Sequence, residues 1–177
     1  DKSRSRGLGD VYKRQPQDYV DSDNPWYVGY KGGYSSEDRG LVNTLSVAGR
    51  LSGINGLIEY ADTRASETET QGASGYTASA RQEADPTDIE NSNLRVAIGF
   101  DVFDLVNVTA DYENFSSETD ADVLSDSGAV VYGTPINSRS ALDTRKRTKS
   151  ALRLSLNDKL WIFDSAEFTA YTQDGTN

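Results

Sequence analysis

An all-β fold of antiparallel strands running up and down is what this 177-residue sequence predicts. Three observations predict it. Apolar and polar residues alternate one for one along several stretches, the period of a strand with two unlike faces. No stretch repeats its apolar residues at helical spacing. The connectors between stretches are tight at one end and long at the other.

Seven segments carry the alternation. In the first, Trp26 to Tyr34, the residues Trp26, Val28, Tyr30 and Tyr34 share a face opposite Lys31 and two glycines. The second, Leu41 to Leu51, sets Leu41, Leu45, Val47 and Leu51 against Thr44, Ser46, Ala48 and Arg50. The third, Leu57 to Arg64, opposes Ile58 and Tyr60 to Glu59, Ala61 and Thr63. The fourth is the most regular: Leu94, Val96, Ile98, Phe100 and Val102 against Asn93, Arg95, Ala97, Gly99 and Asp101. The fifth sets Val106, Val108, Ala110 and Tyr112 against Asn107, Thr109, Asp111 and Glu113. The sixth sets Leu152, Leu154 and Leu156 against Ala151, Arg153 and Ser155. The seventh, Ile162 to Thr172, has the least regular pattern, and Ala166, Phe168 and Ala170 form its expected apolar face.

Short connectors are expected at Ser52 to Gly56, Phe103 to Leu105 and Asn157 to Trp161, where Gly, Asn and Asp favour turns. Long ones are expected at Ala65 to Asn91 and Ser116 to Lys146. In an up-and-down sheet the two sets fall on opposite rims. Tight turns on one rim, long polar loops on the other and strands of about ten residues are the pattern of an outer-membrane β-barrel. About ten residues at roughly 3.3 Å each, tilted by about 40°, span about 25 Å. Soluble sandwiches use shorter strands, about five or six residues. The charges agree: Arg50, Glu59, Arg95, Asp111, Glu113 and Arg153 all fall opposite the apolar faces. A Lys or Arg on a lipid face at mid-bilayer costs roughly 2–4 kcal/mol. A hairpin that sets Ala48 opposite Ala61 would pair Arg50 with Glu59. One that sets Gly99 opposite Asn107 would pair Arg95 with Asp111.

Composition narrows the chemistry. The net charge of −10 argues against nucleic acid as a partner. Histidine and cysteine are absent, which removes Ser-His-Asp triads, thiol catalysis and thiolate metal sites, so no enzyme and no resident cofactor is expected. Methionine is absent too, even at position 1, so a truncated start is expected. No 18-residue apolar run is present, which excludes a helical membrane span within these residues. Residues 1–15 stand apart, with five basic residues (Lys2, Arg4, Arg6, Lys13, Arg14) against two acidic ones in an otherwise acidic chain. The tract is similar to a translated sequencing adapter; the alternative is a flexible basic linker.

Pro16-Gln17-Asp18-Tyr19-Val20, then Gly29-Tyr30 and Ser35-Ser36, resemble the start of the barrel in TonB-dependent outer-membrane receptors, with the haem, haemoglobin, transferrin and lactoferrin receptor family as the nearest resemblance. Thr44 to Arg50, Gly56 to Tyr60, Ser92 to Phe100 and Thr109 to Phe115 resemble the second to fifth strands of that barrel, in order. The resemblance implies a 22-stranded barrel closed by a plug domain. Residues 16–25 would be the plug-to-barrel linker and 26–177 the N-terminal part of the barrel. It implies a multi-pass protein of the outer membrane of a Gram-negative bacterium, in contact with lipid and lipopolysaccharide. It also implies energy delivered by the TonB complex through a plug lying outside this chain, and an iron-bearing cargo. Haem, haemoprotein and iron–siderophore stay open as cargo. With no histidine, no haem ligand carries over to any residue here. Two other readings stay open: a passive porin-like channel, and a soluble secreted β-sandwich acting as an adhesin or binding module.

The candidate residues follow. Arg50, Glu59, Arg95, Asp111, Glu113 and Arg153 are candidates to face the lumen or plug. Trp26 and Trp161 are candidate interfacial aromatics. Val130, Val131 and Tyr132 form an apolar island in a polar loop, able to touch cargo or another loop, although packing within its own loop is the simpler reading. The acidic loop with Glu67, Glu69, Glu83, Asp85, Asp88 and Glu90 matches no calcium-loop spacing and reads as a solvated surface loop. Arg145, Lys146, Arg147 and Lys149 read as an inner rim balancing that acidity, or as a contact for lipopolysaccharide phosphates.

Overall fold

The computed structural model describes residues 15–68, 83–102, 106–136, 138–156 and 166–177. Seven strands form one antiparallel sheet: β1 (Trp26–Ser35), β2 (Gly40–Leu51), β3 (Ile54–Ser66), β4 (Thr87–Val102), β5 (Val106–Asp122), β8 (Ser140–Leu156) and β9 (Ala166–Thr176). Each main strand pairs with the next in that order, so the sheet runs up and down and is open, with β1 and β9 at its edges. A two-stranded hairpin, β6 (Val130–Val131) and β7 (Thr134–Pro135), is inserted between β5 and β8. No α-helix occurs among the described residues. The fold is the antiparallel all-β sheet expected, a fragment-like arc of wall rather than a closed barrel.

The strands outrun the apolar pattern. β4 begins at Thr87, seven residues before Leu94, and β5 and β8 extend to Asp122 and back to Ser140. Both expected long loops are therefore shorter than the sequence suggests. The extra residues, such as Ser116 to Asp122, are polar on both faces and leave no period to read. They pair because each backbone N–H and C=O still needs a partner, and the neighbouring strand supplies it.

The register differs from both expected hairpins. Arg50 lies opposite Asn55 and Glu59 opposite Ser46. The connector is the two-residue turn Ser52-Gly53, with φ of 47° and 81°, the left-handed pair of a type I′ hairpin. A two-residue turn rather than a five-residue one moves the ladder and separates Arg50 from Glu59. In the second hairpin Gly99 lies opposite Thr109 and Arg95 opposite Glu113. Residues 103–105, the connector there, lie outside the described residues.

One face is apolar and its border is oblique. The register row Trp26–Gly49–Gly56–Ile98–Ala110–Leu152–Ala170 carries no polar side chain across all seven strands. The next, from Val28 through Val47, Ile58, Val96 and Tyr112, turns polar at Ser150. The row of Tyr30, Leu45, Tyr60 and Leu94 turns polar at Asn114. The row of Tyr34 and Leu41 turns polar at Arg64. Asn43 interrupts the trend and accepts a hydrogen bond from the Tyr30 hydroxyl at 2.6 Å. From Tyr34 to Val28 is six residues, roughly 20 Å, and the border covers that rise over the three strand spacings from β3 to β8, roughly 14 Å. It therefore slopes at about 55° to the ladder. Phe168 and Ala170 lie opposite Leu154 and Leu152, which agrees with the expected phase of the last strand.

The other face carries the small core. Val20, Ala48, Leu57 and Ala97 are buried together, with Tyr19 and Tyr27 packed against them. Leu57, 1% exposed, is an apolar side chain in a polar face, and the segment ending at Val20 covers it.

Candidate functional site

The polar face is where the charged side chains converge. Arg95, in the middle of β4, is 4% exposed. Its Nε and Nη2 donate to the two carboxylate oxygens of Asp111 at 2.6 and 2.9 Å, and its Nη1 donates to Glu59 Oε2 at 3.1 Å. The flat guanidinium fork matches one carboxylate on two atoms and keeps a third donor for another. Asp111 sits opposite Ala97, one diagonal step from Arg95, so the ion pair forms across a register that does not set them face to face. Glu59 is further bound by the Tyr19 hydroxyl at 2.8 Å and by Ser46 Oγ at 3.2 Å.

A second cluster lies toward the tight turns. Asp101 accepts from Asn107 Nδ2 at 2.9 Å and Asn55 Nδ2 at 3.2 Å, and pairs with Arg50 at 3.2 Å. Thr109 Oγ1 donates to Asn107 Oδ1 at 2.8 Å. A third lies toward the long loops. Arg147 pairs with Glu113 and lies over the Phe115 ring, and Lys149 lies 5.2 Å from the Tyr171 ring centroid. Back toward the tight turns, opposite Thr109, Arg153 pairs with Glu167 at 3.3 Å. Arg95, Asp111, Glu113, Lys149 and Arg153 line a cleft of about 80 Å³ on this face.

All six charged residues singled out from the sequence thus lie on one face, and four of them, Glu59, Arg95, Asp111 and Glu113, stand in neighbouring rows of β3, β4 and β5. Several partners were not singled out, among them Asp101, Tyr19 and Gln17, whose Nε2 donates to Asn107 Oδ1 at 3.4 Å. Asp101 shares the phase of Arg95, which was the signal for it. Tyr19 and Gln17 belong to a segment with no period at all. That segment makes a 3-10 turn over Pro16–Asp18, capped by the Asp18 carboxylate on the Gln15 N–H at 2.7 Å, and lies on β2, β3 and β4. Gln15, the last residue of the basic tract, belongs to it; residues 1–14 lie outside the described residues.

Trp26 starts β1 on the apolar face, 72% exposed, while Trp161 lies outside the described residues. Val130, Val131 and Tyr132 do not pack within their loop: all three are exposed, on and beside the turn of the small hairpin. The simpler expectation fails because the loop is closed by backbone bonds rather than by a packed interior. Of the acidic loop, Glu69 lies outside the described residues. No group of three or more acidic side chains among the described residues stands close enough to hold a metal ion.

No family model matches the chain. Among characterised proteins it is similar to hemoglobin-binding protein A of Haemophilus influenzae, 32% identical over 106 residues, which is 56% of this chain and 10% of that protein. It is 30% identical over 105 residues to a hemoglobin and hemoglobin-haptoglobin-binding protein of Haemophilus ducreyi, covering 57% and 11%. It is 32% identical over 77 residues to hemoglobin-haptoglobin utilization protein B of Neisseria meningitidis serogroup C, covering 42% and 10%. The match spans about a tenth of the length of these relatives. They are haemoprotein-binding proteins and not enzymes.

Proposed function

We propose that this chain is a length of wall from an outer-membrane receptor that takes up haem iron from a haemoprotein, with the apolar face against lipid and the polar face toward the lumen. The oblique apolar border carries the reading. Strands of membrane barrels tilt by roughly 35–45°, so a level lipid layer must cross their hydrogen-bonded rows obliquely, as the border here does at about 55°. A soluble sandwich has no reason for such a slope, and would need a second sheet over side chains such as Trp26, Ile58 and Phe168, which are exposed.

Three further points support it. The charges with buried partners are on the face assigned to the lumen. The segment Pro16–Val20 lies across that face, as the junction between a plug and its barrel would, and this counts against an open porin-like channel. The relatives are named for binding haemoglobin or its haptoglobin complex, which favours haemoprotein over siderophore as cargo. Import would draw energy from the TonB complex through a plug, and the residues of this chain would form wall and loops without performing chemistry. Trp26 would sit at the membrane interface, and Lys146, on the lipid-side phase, near lipopolysaccharide phosphates.

Single cysteines at Val96, Ile98 and Phe100 in the intact outer-membrane protein, labelled with an environment-sensitive dye, should report hydrocarbon, and those at Lys31 and Thr169, exposed on the polar face, a wet interior. The reverse result sinks the membrane assignment. Growth on haemoglobin as sole iron source, lost when the gene is deleted and dependent on TonB, tests the cargo and the energy source.

A further inference from the structure

We infer that the small hairpin between β5 and β8 is a preformed contact for the protein part of the cargo, inserting Tyr132, flanked by Val130 and Val131, into an apolar hollow edged by basic groups; this rests on the receptor reading above. Tyr132 is completely exposed and heads the turn Tyr132-Gly133 with φ of 51° and 80°. A left-handed aromatic residue is uncommon and strained, whereas Asn-Gly would make the same turn without strain. Strain of this kind, with a large apolar side chain given to water, serves the loop's own stability in no way visible among the described residues.

The rest of the loop is built to hold the hairpin still. The N–H groups of Gly128 and Ile136 bond to Ile136 and Ala129 carbonyls at 2.8 Å each, and the Val123 N–H bonds to the Arg139 carbonyl at 2.8 Å. Arg139 pairs with Asp126 at 2.6 Å. Ser125 donates its N–H and its hydroxyl to Asp85 at 3.1 and 2.8 Å, which ties the loop to the connector before β4. A rigid, exposed aromatic that need not be ordered on binding is the usual centre of a binding hot spot. Its surroundings choose the chemistry of the partner: Glu118, Asp120, Asp122, Asp126 and Asp143 lie on the stem, against Arg139 and Arg145. An acidic collar around an apolar tip fits a protein surface whose hollow has a basic edge.

The discriminating variant is Tyr132→Asn in the intact outer-membrane protein, because it keeps or improves the turn while removing the ring. Haemoglobin binding to cells should weaken by at least about tenfold, the scale of an aromatic hot spot. Tyr132→Phe should bind within about threefold of the parent, and uptake of free haemin should not change for either. A photo-crosslinking residue at 132 should attach to globin. The inference is overturned if Tyr132→Asn binds as well as the parent, or if position 132 crosslinks to another loop of the receptor itself. Absence of haemoglobin binding by the parent protein overturns both the inference and the cargo reading, and so separates the two failures.

Discussion

Arg95 is held by two carboxylates, and its removal would leave Glu59 buried with only the Tyr19 and Ser46 hydroxyls and Asp111 half-buried without its cation. Breaking a buried pair by deleting one partner costs about 3–5 kcal/mol. Arg95→Ala is therefore expected to lower the unfolding free energy of the protein refolded into lipid vesicles by about that much, read by urea titration. Insertion should survive, since nothing on the apolar face changes. Loss of insertion would contradict the placement of Arg95. A smaller effect of opposite sign is expected at the far end of β4, where Glu90 lies opposite Glu118 and Asp88 opposite Asp120. Like charges face to face destabilise a sheet. Glu118→Lys should stabilise by a few tenths of a kcal/mol up to about 1 kcal/mol, and the gain should shrink in high salt. The phase of Arg95, Asp111 and Glu113 was legible in the sequence because apolar neighbours on both sides fix it. Their register was not, because a two-residue shift keeps every side chain on its face while changing every directly opposed partner; the expected Arg95–Asp111 pair forms all the same, across the diagonal, while Arg50–Glu59 does not form.

Among the elements, the turns carry the sharpest expectations. The β1–β2 turn depends on Asp38. Its carboxylate accepts the Gly40 N–H at 3.0 Å, and its backbone carbonyl accepts the N–H and hydroxyl of Ser66 at 2.8 and 3.1 Å. The Ser35 hydroxyl, then the Gly40 N–H, hold the Asp38 carboxyl below its usual 3.8. A carboxyl whose value is lower folded than unfolded stabilises the fold fully above the unfolded value, and that share fades as pH falls through the folded one. Hydrogen exchange at the Gly40 amide should thus lose protection on acidification through that range. Asp38→Asn should flatten the dependence, and an unchanged acid profile would refute the role of Asp38. At the opposite rim, Gly53→Val should destabilise by about 1 kcal/mol or more, because a β-branched residue resists its left-handed backbone. The middle of each strand was readable from alternation. The ends were not: from Ser116 to Asp122 both faces are polar, and pairing there answers only the backbone.

The whole molecule is an open sheet with two edge strands and one apolar face. In plain buffer nothing among the described residues covers the row from Trp26 to Ala170 or the outer hydrogen-bonding groups of β1 and β9, so the isolated chain is expected to self-associate and to stay dispersed only in detergent. Sedimentation with and without detergent checks this; a folded monomer in plain buffer would favour the sandwich alternative. The fold class was legible at this scale, since seven alternating stretches and uneven connectors leave few other arrangements. What escaped was the segment from Gln15 to Val20, whose seat on the polar face comes from Pro16, Tyr19 and Val20 meeting side chains far along the chain.

The unequal lengths of the strands have a consequence of their own. β5 continues about ten residues past Tyr112 to Asp122, roughly 33 Å of extended chain, or about 25 Å of height at a barrel-strand tilt of about 40°. β2 stops almost at Leu41. Set in a bilayer, the mouth would be lopsided, a tall palisade on one flank and a low sill on the other. A bulky visitor would meet the palisade first, clear of the sugar coat, and could tip inward over the sill.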